Sequence, residues 1–181
     1  YIVGRTVNWN SVRLNDSNEF LSRSSDGTWL NSGLTVPDRS SWYQLAITYD
    51  SGTWVFYVNS VPSSPQVDIS TAQFSWLGFA GATYFDGSLD DVRVYDRALS
   101  ADEVRRLYNL GEGTKFATTP SNESLENGLV GHWTFDGSDI DWGSTTAEIK
   151  DRSGQGNDGN TDGMSNSSAI IGPLGQALYF D

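Results

Sequence analysis

Residues 42–59 read Trp42-Tyr43-Gln44-Leu45-Ala46-Ile47-Thr48-Tyr49-Asp50-Ser51-Gly52-Thr53-Trp54-Val55-Phe56-Tyr57-Val58-Asn59. The first half alternates. Tyr43, Leu45, Ile47 and Tyr49 share one face, and Trp42, Gln44, Ala46 and Thr48 the other, which is the period of a half-buried strand. Asp50-Ser51-Gly52 then supplies a turn. From Thr53 to Asn59 the alternation resumes, with Trp54, Phe56 and Val58 on one face. Two aromatic, β-branched runs joined by a short Asp/Gly turn predict a β-hairpin.

Working outward, residues 89–95 form a third predicted strand. Residues 1–7, 11–14, 19–23, 66–69, 75–79, 129–135 and 177–180 carry weaker strand patterns. One helix is predicted. Ser100-Ala101-Asp102-Glu103 is a capping box, in which the Ser100 hydroxyl accepts from the Glu103 amide and the Glu103 carboxylate reaches back. Val104, Leu107 and Tyr108 follow at helical spacing, and Gly111 stands where the helix stops. Residues 112–127 lack periodicity and read as a linker.

Composition agrees with a chain of many short strands. Of 181 residues, 86 are Gly, Ser, Thr, Asn or Asp, and 23 are aromatic. Turn formers plus aromatics describe an all-β protein. The absence of cysteine excludes disulfides, thiol catalysis and cysteine-bound zinc. A single histidine, His132, argues against a multi-histidine metal site or a Ser-His-Asp hydrolase. The formal charge of −12 is opposite to what a nucleic-acid groove needs. No apolar run approaches the roughly 20 residues of a membrane helix, so no membrane insertion is expected.

Several motifs resemble one family. Gly87-Ser88-Leu89-Asp90-Asp91-Val92-Arg93-Val94-Tyr95-Asp96-Arg97-Ala98-Leu99-Ser100 is similar to the closing strand and following helix of the laminin G-like, concanavalin A-like lectin/glucanase jelly rolls. The hairpin at 42–59 resembles a hairpin of that family. Gly128-Leu129-Val130-Gly131-His132-Trp133-Thr134-Phe135-Asp136 resembles its opening strand. Asp151-Arg152-Ser153-Gly154-Gln155-Gly156-Asn157-Asp158-Gly159 resembles the turn-rich segment after it, and Gly175-Gln176-Ala177-Leu178-Tyr179-Phe180-Asp181 the next strand. The resemblance implies an all-β, two-sheet antiparallel jelly-roll sandwich of the concanavalin A-like type, with one short helix.

The motif order is permuted, because the closing motif precedes the opening one. Residues 1–111 read as the C-terminal part of such a jelly roll, 112–127 as a linker, and 128–181 as an N-terminal part. Two explanations stand side by side. Either the chain holds the back of one domain and the front of the next in a tandem array, or the parts complete one domain, by permutation or by strand exchange between copies. Sixteen extended residues reach roughly 50 Å, enough for the permuted link. Completion of either kind predicts a ladder between residues 89–95 and 129–135.

The resemblance implies a non-catalytic module, extracellular or on the cell surface, that binds a glycan or an extracellular protein. The alternative is a structural repeat of a surface fibre or array, whose partners are neighbouring copies of itself. Catalysis is not expected. Retaining glycosidases need two carboxyls about 5–5.5 Å apart, and none of Glu19, Glu103, Glu112, Glu123, Glu126 and Glu148 is paired at strand spacing. The family's jelly rolls imply a structural calcium ion between opening and closing strands, with Asp90, Asp91 and Asp136 as candidate ligands. The other reading of Asp90 is that it caps turn amides or pairs with Arg93 or Arg97. The run Asp158-Gly159-Asn160-Thr161-Asp162-Gly163 begins like an EF-hand loop, but Ala169 stands at its twelfth position and a solvated turn is expected instead. Trp9, Trp29 and Trp142 sit in polar, turn-rich contexts and are the candidate platforms for a sugar ring. Trp54, Trp76 and Trp133 read as core, and His132 as surface.

Overall fold

A computed structural model describes residues 3–4, 11–23, 27–67, 76–80, 83–111, 123–146, 148–161 and 163–180. Two units emerge. The first comprises residues 1–85 and 98–108, the second 86–97 and 109–181.

In the first unit β1 (Val3–Gly4), β2 (Ser11–Leu14), β3 (Glu19–Arg23) and β4 (Trp29–Thr35) belong to one antiparallel sheet. A second sheet is built on the predicted hairpin, β5 (Leu45–Asp50) and β6 (Thr53–Val58), with β7 (Val61–Pro62) and β8 (Gln66–Val67) both paired to β6. Next, β9 (Trp76–Leu77) joins β1, and β10 (Phe79–Ala80) pairs with β11 (Thr83–Tyr84). Ser51 and Gly52 join β5 to β6 with φ of 49° and 86°. Positive φ at both central residues is the turn whose twist matches a hairpin.

The faces read from the alternation are the faces observed. Trp54, Phe56 and Val58 enter a core with Val12, Phe20, Leu30 and Val36, and Tyr43, Leu45, Ile47 and Tyr49 pack against it. Phe20 meets Phe56 edge-on at 5.4 Å between ring centroids, so the core joins both sheets. Phe20, Val36 and Phe56, almost wholly removed from water, each contribute about 1.5–3 kcal/mol of transfer free energy.

Helix α1 (Ala101–Gly111) carries the predicted capping box: Ser100 N–H donates to Glu103 Oε2 at 2.8 Å, and Glu103 N–H to Ser100 Oγ at 3.3 Å. Val104 is fully buried, and its carbonyl accepts from Gln44 Nε2 at 3.2 Å.

The second unit starts where the predicted strand 89–95 breaks in two. Gly87–Leu89 is β12 and Val92–Tyr95 is β13, with Asp91 between them at φ 48°. Aspartate tolerates this left-handed conformation because its short carboxylate bonds locally. The segment thereby changes partner. On one side of the kink, β13 pairs antiparallel with β14 (Leu129–Trp133), Val92 opposite Trp133 and Arg93 opposite His132. On the other, β12 pairs with the last strand: β15 (Ala169–Gly172) and β16 (Gly175–Phe180) form a hairpin, and Leu89 lies opposite Leu178. The ladder predicted between 89–95 and 129–135 is therefore formed within one chain, over 92–95 and 129–133. Ala177 and Leu178 are fully buried in this unit. A short helix, α2 (Glu123–Glu126), lies inside the stretch expected to be linker, and its Leu125 is buried.

The architecture is all-β in several antiparallel sheets with one longer helix, as the sequence implied.

Candidate functional site

Most of the polar chemistry of the second unit gathers around the β13–β14 ladder and the β15–β16 hairpin. The kink at Asp91 turns consecutive carboxylates to different tasks. Asp90 Oδ2 accepts the Leu174 N–H at 3.0 Å, and Asp136 Oδ1 accepts the Gln176 N–H at 2.9 Å. Both carboxylates thus grip the Gly172–Gly175 turn. The grip is close: a Cβ on Gly172 would lie 2.5 Å from Asp90 Oδ2, and one on Gly175 2.2 Å from Asp136 Oδ1. Asp90 Oδ1 is buried without a hydrogen-bond partner. Burial, with the charges of Asp91 and Asp136 nearby, raises the Asp90 carboxyl above its ordinary range despite the Leu174 amide.

Asp91 has other partners. Its Oδ1 accepts from Arg93 Nε and Nη2 at 3.2 and 3.1 Å and lies 2.6 Å from His132 Nε2. Burial alone would raise this carboxyl, but His132 and Arg93 hold it below the ordinary range. The structure therefore brings Asp90 and Asp136 together at one turn and commits Asp91 to Arg93 and His132. His132 is not simple surface, since its side chain is only 17% exposed and joined to Asp91.

A third carboxylate organises the turn-rich segment at 151–159. Asp151 Oδ1 accepts the N–H groups of His132 (2.9 Å) and Ser153 (2.8 Å), and Oδ2 accepts the Ser153 hydroxyl (2.7 Å) and the Asn157 N–H (2.9 Å). Slight burial raises its carboxyl, but these donors hold it at about 2. Asp151 N–H donates in turn to Asp158, so Asp158 serves the turn. Asn157 Nδ2 reaches the Val130 carbonyl at 2.7 Å, and the Asn157 carbonyl accepts the Trp133 indole N–H at 2.9 Å. The segment is thus laced to β14. Of the EF-hand-like run, Asp162 lies outside the described residues.

Beside these elements, with α2 and the end of α1, lies an open cavity of about 320 Å³ lined by Arg93, Leu110, Leu125, Glu126, Leu129, His132, Arg152 and Ser153. Arg152 is paired with Asp139, which is almost fully buried and also accepts from Thr134 Oγ1 at 2.7 Å. No sequence signal pointed to this cavity, because its lining comes from four separate segments.

The candidate sugar platforms fall in different settings. Trp9 lies outside the described residues. Trp29, on β4, is half-buried, with the Arg13 guanidinium 4.0 Å above its ring and Arg23 at 5.4 Å. Trp142 is half-buried in a turn where Asp141 Oδ1 accepts the Gly143 N–H at 3.0 Å. Trp54 is core as read, Trp133 is only half-buried, and nothing is described of the Trp76 side chain. Among the described residues no group of three or more His, Cys, Asp or Glu is arranged to hold a metal ion.

The antiparallel sheets of each unit define an all-β protein, and comparison with family models gives its class. The laminin G-like model of the concanavalin A-like lectin/glucanases superfamily matches residues 2–105, more than half of the chain, and the protein belongs to that family. No curated protein and no solved structure matches the chain. Membership makes it, in general terms, a carbohydrate- or protein-binding module of a kind that is generally non-catalytic. No helix among the described residues is long and apolar enough to cross a membrane.

Proposed function

We propose that the protein is a non-catalytic extracellular or cell-surface module that binds a glycan or an extracellular protein. The observation that carries this reading is the family match over residues 2–105. Trp29 and Trp142 are the described rings offered to a sugar, with Trp9 the third candidate. Arg13 already stacks on Trp29, which favours Trp142 for a ligand's ring. Glycan-array screening of the intact chain, followed by Trp142→Ala, tests the glycan arm. Loss of a glycan signal in the variant supports it. An array without signal, together with no capture of purified matrix proteins on a sensor surface, overturns the binding reading.

A structural calcium ion belongs to the same proposal, held by Asp90 and Asp136. Asp90 Oδ1 is a buried oxygen with no other partner, and a hard cation there would offset the raised carboxyl. Asp91 is the weakest of the three candidate ligands, given its bonds to Arg93 and His132. Thermal melting with calcium and with EDTA tests the ion. An upward shift lost in Asp90→Asn supports it, and equal melting under both conditions overturns it.

The two parts of the sequence are proposed to complete each other within one chain. The β13–β14 and β12–β16 ladders support this, since each joins residues before the expected linker to residues after it.

A further inference from the structure

The cavity in the second unit has a composition that sets it apart from the rest of the chain. Acidic residues outnumber basic ones 23 to 11, yet two arginines and the single histidine converge on one space. Each guanidinium is paired with a carboxylate. Arg93 spends Nε and Nη2 on Asp91, and Arg152 spends Nη2 on the buried Asp139. A guanidinium has five N–H donors, more than these pairs use, and both arginines belong to the cavity lining. The fork geometry of arginine suits a carboxylate or a phosphate, and the three leucines beside it favour the carboxylate of an aliphatic ligand.

The rest of the lining is three leucines together with Glu126 and Ser153. Leu110, Leu125 and Leu129 supply an aliphatic surface, and Leu110 is 45% exposed at the lip. Among the described residues no aromatic ring lines the cavity. Its volume of about 320 Å³ lies at the small end of ligand sites. Glu126, also in the lining, offers an acceptor for an N–H group. Carboxylate receptors, an aliphatic wall and an N–H acceptor are together the requirements of one ligand chemistry.

We infer that this cavity receives the free C-terminus of a peptide whose last residue is aliphatic. The terminal carboxylate binds Arg93 and Arg152, the side chain packs on the leucines, and the last peptide N–H faces Glu126. This rests on the reading of the chain as a binding module, and it selects a protein ligand for this site.

The test is fluorescence polarisation with a fluorescein-labelled hexapeptide, Gly-Ser-Gly-Ser-Ala-Leu, as the free acid and as the C-terminal amide. The acid is expected to bind, and the amide to bind roughly ten- to a hundredfold more weakly, the range for losing charge-assisted hydrogen bonds. Arg152→Gln is expected to weaken the acid at least about tenfold while leaving the amide unchanged. Leu110→Ser, at the exposed lip, keeps the test meaningful should Arg152→Gln fail to fold; it is expected to weaken both peptides. Equal binding of acid and amide, no binding of either, or an Arg152→Gln variant indistinguishable from the parent overturns the inference. Displacement by octanoate or by glucuronate as effective as by unlabelled peptide also overturns it, in favour of a free aliphatic acid or an acidic sugar. Should Arg152→Gln leave an array-identified glycan or protein ligand bound as before, while the peptides fail, this site falls and the binding-module reading stands.

Discussion

Asp151 shows how one side chain writes a loop. Four donors from three residues converge on its carboxylate, and one of them is the main chain of β14. Its carboxyl is held at about 2, below the ordinary 3.8. A group depressed on folding adds stability above its unfolded pKa and loses it as pH falls through the folded one. The Asp151 contribution is therefore complete above about pH 4 and is lost between pH 4 and 2. Asp151→Ala is expected to cost about 1–2 kcal/mol at pH 7, a modest figure because the group is partly solvated. Chemical denaturation at pH 7 and at pH 2.5 checks both parts, and the difference between variant and parent should shrink at the lower pH. Gly131 makes a second residue-scale case. A Cβ there would lie 2.4 Å from the Trp133 indole. Gly131→Ala is expected to destabilise the protein by about 1–3 kcal/mol through overpacking, read as a lower melting temperature.

Elements were legible where burial followed a simple period. The alternation at 42–59 placed both faces of β5 and β6 correctly because apolar chains occupy nearly every inward position. Strand β4 escaped notice for the opposite reason. Its inward positions include the buried Ser32, and Gly33 sits at φ 70°, so hydrophobic alternation is interrupted. Strand β15 is short, and its Ile171 is 88% exposed, which hides the pattern again. Residues 89–95 carried a continuous strand pattern, but periodicity contains no term for a left-handed residue, and Asp91 bends the segment. The helix was readable down to its cap. Ser100→Ala removes the acceptor for the Glu103 amide and is expected to cost about 0.5–2 kcal/mol, measurable as a lower denaturant midpoint with unchanged slope.

For the whole molecule, the permuted motif order was the informative signal. It predicted a pairing between distant segments that local propensity could not supply, and the β13–β14 ladder is that pairing. The cavity and the Asp91–Arg93–His132 cluster were illegible because His132 lies 41 positions from Asp91. Side chains so far apart meet only through the register of that ladder. Pairing within one chain predicts a particle of 19.8 kDa. Light scattering across a wide concentration range should return that mass throughout; a rise toward twice the value would favour exchange between copies and the fibre or array reading.

The change of partner at Asp91 also sets a timetable for synthesis. Eighty-nine positions separate Leu89 from its neighbour Leu178, whereas β5 and β6 meet across two residues. At about 5–20 residues per second, β12 leaves the ribosome roughly 4–18 s before the strand that covers it is made. Through that interval a nascent chain carries β12 without its β16 partner, as an uncovered strand edge. Such edges are the surfaces that pair with the wrong neighbour. The left-handed aspartate that lets one short segment close two ladders thus also makes the protein's youngest form its most vulnerable one.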